Sequence, residues 1–141
     1  MTSFIYNIGK KEILSGEIDL TNDTIKVALV TSSYSADKDA HEHFDDITNE
    51  VVGTPYVAGG ATLANKSFNA DNTNDRGEFD ADDVTWSVAT LTARAAIVYK
   101  STGVAATSTL FAYWDFLSDY STSGEDFTIE WDSEGVLYLG E

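Results

Sequence analysis

The sequence predicts a mainly β domain: an antiparallel β-sandwich, immunoglobulin-like or jelly-roll-like in topology, with one short N-terminal helix. Three observations lead there. Apolar and polar residues alternate with a period of two in several runs, which sets one face of an extended strand against a core. Turn residues punctuate the chain at short intervals, and its only proline leaves the strands free to donate to their ladders. No strand–helix alternation of the kind that builds a parallel sheet is present. The 141 residues suit a single domain, 1–141, and 43% hydrophobic with 12% aromatic residues is enough for a packed core.

The elements follow in chain order. Phe4, Ile5, Ile8, Ile13 and Leu14 recur near the helical spacing, so residues 4–15 are predicted helical, with Gly16 as the stop. From Thr24 the period changes to two. Ile25, Val27 and Leu29 point one way and Lys26 and Ala28 the other, which predicts a half-buried strand over 24–30. Residues 32–50 read as a long surface loop with Phe44 and Ile47 tucked inward, and Gly53, Pro55, Gly59 and Gly60 mark a turn-rich stretch. A strand is predicted over 61–68. The carboxylate-rich 69–83 reads as a polar loop whose end feeds a strand.

Val84, Trp86 and Val88 alternate with Thr85 and Ser87. After a turn at Ala89-Thr90, the run Leu91–Tyr99 alternates again. Leu110–Phe116 carries apolar residues on both faces, the pattern of a strand covered on two sides. Phe127–Trp131 and Val136–Leu139 flank Asp132-Ser-Glu-Gly135, and a glycine suited to positive φ predicts a hairpin there.

Charge narrows the partners. Asp and Glu number 24 against 8 Lys and Arg, a net charge of −16. Such a chain repels phosphate backbones and anionic lipid surfaces, so no nucleic-acid or membrane partner is expected. The acidity serves solubility, or docks a basic partner. No cysteine is present, which removes disulfides and thiolate chemistry. The N-terminus lacks a basic segment followed by an apolar run, so no signal peptide is expected. The apolar stretches fall well short of the ~20 residues that span a bilayer.

Candidate chemistry is sparse. The two histidines, His41 and His43, stand with Glu42, Asp45 and Asp46 in one loop, where zinc or nickel could bind if the ligands converged. Asp71, Thr73 and Asp75 carry oxygen ligands at alternate positions like a calcium loop. The sixth position, however, is Arg76 where an EF-hand needs glycine, and the twelfth is Asp82. The expectation is therefore no metal, no cofactor and no catalytic residue. Trp86, Tyr99, Tyr113, Trp114, Phe116, Trp131 and Tyr138 are expected mainly in the core, with a few available to a sugar or a subunit interface.

Three stretches resemble a family of small tailed-phage virion proteins: Gly16–Val30, Asp45–Gly53 leading to Tyr56–Leu63, and Phe79–Trp86 running into Thr92–Tyr99. The resemblance implies a virion structural protein assembled in the host cytoplasm, a decoration or cement protein on the head exterior. Its expected partner is the major capsid protein, and homo-oligomers, trimers at local threefold axes, follow by lattice symmetry. The alternative implied role is a tail, baseplate or fibre-associated module that contacts other virion proteins or a host glycan. A third class, a metal-dependent enzyme, would need the histidine loop or the acidic loop to hold an ion.

Overall fold

The computed structural model describes residues 3–140, arranged as two antiparallel sheets with one short helix. The chain opens with β1 (Phe4–Ile5), α1 (Asn7–Ser15) and β2 (Ile25–Val30). β3 (Ala61–Thr62), β4 (Ser67–Asp71) and β5 (Arg76–Asp80) follow. Two long strands, β6 (Val84–Lys100) and β7 (Leu110–Ile129), precede the closing β8 (Leu137–Gly140). The larger sheet has the order β1-β7-β6-β2-β3 and the smaller β4-β5-β8. Among the described residues no helix is long and apolar enough to cross a membrane.

Both faces of the larger sheet are covered. Ile25, Val27 and Leu29 share one apolar cluster with Val98 of β6 and with Phe79 and Leu137 of the smaller sheet. Ala28 and Val30 join a second cluster with Ile97, Tyr99, Tyr34 and Tyr6. β2 is thus buried on both sides where its pattern predicted one. The reason lies in the 32–50 segment: Tyr34 and Ala36 are buried, and Phe44 stacks on Tyr99 with ring centroids 4.4 Å apart. This segment packs over the sheet face that faces away from the other sheet, and Phe44 and Ile47 do turn inward.

Several predicted elements are corrected. Residues 4–15 divide into β1, paired with β7 at Tyr113 and Ala112, and α1. Gly9 lies against the Phe111 backbone, where a side chain would collide, so the helix seats directly on β7. The helix ends as predicted at Gly16, φ 78°. The single strand predicted over 61–68 is two short ones in different sheets, separated at Asn65 (φ 52°). The polar loop predicted over 69–83 is a hairpin, β4 paired with β5 from Ser67↔Asp80 to Asp71↔Arg76. Its turn holds because the Asp71 carboxylate accepts the Thr73 and Asn74 N–H groups.

The turn placed at Ala89-Thr90 is a bulge inside the continuous β6. Val88 takes φ 52° and donates its N–H to Asp126 across the ladder. β7 continues past Phe116 to Ile129, through a bend in which Leu117 takes φ 69°. The hairpin predicted at 127–139 is also overturned. The Asp132–Gly135 turn forms, with Gly135 at φ 89°. However, Phe127–Ile129 pair with β6 while Leu137–Gly140 pair with β5. Contacts near the turn separate the two arms: Val136 N–H bonds Phe79 O, and Trp131 donates its backbone N–H to Asp83 and its indole N–H to Asp82 O. The turn is a corner between sheets.

Candidate functional site

The two histidines part company. His41 faces inward: its ring stacks on Tyr34 at 5.5 Å and its Nδ1 shares a 2.7 Å hydrogen bond with the Tyr34 hydroxyl, which meets the Tyr6 hydroxyl at 3.1 Å. Burial pushes the Tyr34 phenol up to about 12, so this chain of hydroxyls stays neutral and serves packing. His43 instead comes together with Asp45 and Asp46, their ligand atoms within 4.8 Å of one another. One Asp46 oxygen already accepts the His43 and Glu42 N–H groups, and these bonds hold its carboxyl below the usual range. His43 and Asp46 cap a short helical turn, Phe44–Asp46, and His41 is not part of the group.

The acidic segment is likewise committed to structure. Asp71 is held below its ordinary pKa first by the Asn74 side chain and then by the turn N–H groups. Arg76 lies 2.8 Å from Glu134, 2.9 Å from Glu78 and 3.5 Å from Asp71, over the Tyr138 ring at 4.8 Å. Of the alternate residues Asp71, Thr73 and Asp75, Asp71 closes the turn and meets this arginine.

The surface with binding geometry lies along β7. Glu42, Tyr6, β1 and Ser3 occupy the outer edge of this 20-residue strand from Leu110 to Asp115, and no described strand lies beside residues 116–129. Four β7 residues, 116–119, stand opposite the single Arg94 of β6, so β7 bends sharply there. Asp115 fixes the bend: it accepts Arg94 Nε at 2.8 Å and the Leu117 N–H at 2.9 Å, and Arg94 holds its carboxyl below the usual range. Beyond the bend Phe116 comes within 6.3 Å of Phe127 and 6.1 Å of Tyr120, ring centroid to ring centroid.

Two adjoining cavities result, about 390 and 370 Å³, which share Phe116, Ile129 and Glu130 as walls. They form one groove. Trp114 lines one end and Tyr120 and Thr122 the other. The Trp114 indole N–H and the Thr122 hydroxyl are shielded from solvent and have no hydrogen-bond partner among the described residues. Buried donors are seldom left so in a finished interface, since each costs about 1–3 kcal/mol. Asp126, Glu130 and Asp132 edge the groove, and no ion pair among the described residues engages them.

The aromatic signal of Trp114, Phe116 and Trp131 was legible in the sequence, although these rings sit half-buried at the margin of the core. Tyr120, Thr122 and Glu130 were not singled out, because nothing local marks a strand that bends around its own carboxylate.

Comparison with protein-family models, with curated proteins and with solved structures gave no match for this chain.

Proposed function

We propose that this protein is a structural component of a tailed-phage particle, a decoration or cement protein that docks on the head exterior. The observation that carries the reading is the open flank of the larger sheet: an aromatic groove with an acidic rim beside the 116–129 part of the β7 edge, which no described strand covers. Such a flank suits a protein that gains its last contacts from a neighbour. Two further features support it. The stretches that resemble small phage virion proteins supply β2, most of β6 and the 45–63 segment, so the likeness concerns the scaffold. A net charge of −16 suits a surface crowded on a particle exterior and not one in contact with packaged DNA. The major capsid protein is the partner this reading names.

Cryo-electron microscopy and mass spectrometry of purified particles from the phage that encodes the chain test the proposal. Density for the sandwich at regular positions on the head is the expected result. Absence from the particle removes the reading, and density confined to the tail replaces it with the tail or baseplate role.

A further inference from the structure

The groove along β7 has a chemistry that specifies its occupant. Its floor is aromatic, but the rings do not form a flat platform: Phe116 and Tyr120 stand at 83° and Phe116 and Phe127 at 51°. Rings so tilted leave slots between them, the shape that takes separate side chains, whereas a sugar ring stacks on an aromatic face laid open to it. The rim carries Asp126, Glu130 and Asp132, so the field in the groove favours cations. A second copy of this chain would bring another −16 charges to the same place. Beside the groove runs the edge of β7 from residue 116 onward, where no described strand pairs with it and its backbone groups can accept an added strand.

We propose that the groove receives an extended, lysine- or arginine-bearing segment of a partner protein, laid along the open edge of β7. Its apolar side chains enter the slots between Phe116, Tyr120 and Trp114. Its cations meet Glu130 and Asp126 and the exposed Tyr120 ring, where charge and ring attraction act together. Main-chain pairing gives this mode its affinity, and the alternation of side chains gives its specificity. The inference rests on the reading of the protein as a docking component and names the chemistry of what it docks.

The test uses the full chain and a fluorescein-labelled octapeptide of alternating lysine and valine, followed by anisotropy at physiological salt. Saturable binding is expected. Glu130→Lys and Tyr120→Ala are each expected to weaken it about tenfold. Both residues are exposed or partly so, and an unchanged melting temperature shows that each variant folds. Glu42→Lys makes the same change of net charge in the segment over the opposite sheet face, and is expected to leave binding within about twofold.

Equal weakening by Glu42→Lys and Glu130→Lys, or equal binding of a glutamate–valine octapeptide, would mean diffuse charge attraction and overturn the proposal. No binding up to about millimolar peptide would overturn it too, as would displacement of the peptide by chitotetraose or maltoheptaose. Particle incorporation separates this inference from the one it rests on. A Glu130→Lys, Tyr120→Ala chain that still decorates heads sinks the groove and leaves the function standing. A wild-type chain absent from particles sinks the function, whatever the peptide does.

Discussion

Removing one oxygen from Tyr56 tests how the 45–63 segment is fastened. The Tyr56 hydroxyl accepts the Leu29 N–H at 3.0 Å and donates to Glu50 Oε1 at 2.6 Å. The same Glu50 oxygen takes the Gly59 N–H at 2.6 Å, and Tyr99 donates to Gly59 O at 2.6 Å. This knot holds the segment across β2 and β6 and sets Tyr56 against Trp86, ring centroids 5.5 Å apart. Tyr56→Phe keeps the ring and therefore the packing. It deletes a bond to a carboxylate, worth about 1.5–3 kcal/mol, and leaves the buried Leu29 N–H unpaired at about 1–3 kcal/mol. A net loss near 3 kcal/mol is expected, or a fall in melting temperature of about 6–12 °C for a chain of this size. Urea unfolding followed by tryptophan fluorescence measures it, with Glu50→Gln and the double variant completing a cycle. The double variant should cost clearly less than the two single costs added, because both act on one bond. A Tyr56→Phe cost under about 1 kcal/mol, or simple additivity with Glu50→Gln, would refute the reasoning, since a typical bond to a charged group already exceeds the first figure.

Two other outcomes are expected. Gly60 has φ 75°, and a side chain there would strike the Val27 carbonyl, whereas Gly16 has φ 78° with open space around it. Gly60→Ala should therefore abolish soluble expression or cost more than about 3 kcal/mol, and Gly16→Ala only about 1 kcal/mol; expression yield and thermal melts separate them. The Asp115 carboxyl is held below its ordinary value by Arg94, so its contribution is present above the unfolded pKa and lost as pH falls through the folded one. Asp115→Asn should thus melt well below the parent at pH 7, with the gap narrowing under acid conditions below the usual aspartate range. A gap that does not change with pH would count against the ion pair as the cause.

Sequence reading succeeded where a residue answers to its own strand and failed where it answers to a distant one. Ile25–Val30 and Leu91–Tyr99 alternate because each faces a core on at least one side, and that pattern is local. Gly135 asked for a turn and received one, yet the turn's arms joined different sheets. What decides this is Phe79 O waiting for the Val136 N–H, more than fifty residues upstream and silent in the local pattern. The carboxylates of 71–83 read as solvated loop because side-chain acidity says nothing of the backbone pairing beneath it. His41 and His43, two residues apart, could have shared a site by spacing alone; Tyr34 holds the first inward while the second stays with Asp45 and Asp46. The groove lay beyond reach for a related reason. It depends on a bend that Asp115 and Arg94 make together, and their pairing is a property of the β6–β7 register.

That bend also bears on how a long edge strand is kept safe. An edge left uncovered by described strands from residue 116 to 129 invites pairing with another copy, and proteins blunt such edges with bulges, irregular residues and charge. β7 uses all three: the 116–119 bulge, Gly124 at φ 74°, and Asp119, Glu125 and Asp126 along its outer half. The carboxylates set equal charges against each other whenever two copies approach edge to edge, and the bulge and glycine break the straight ladder that a second β7 would need. A segment carrying lysine or arginine meets neither obstacle to the same degree, because its charges are opposite and a flexible strand can follow the bend. The residues that exclude self-pairing are therefore the residues that select a basic partner. Trimers at a threefold site would have to form through another face and leave this edge to the lattice beneath. If purified chain were found to associate through β7, with Glu130→Lys strengthening the contact, acidity would be steering self-assembly, and the selective role assigned to the rim would fail.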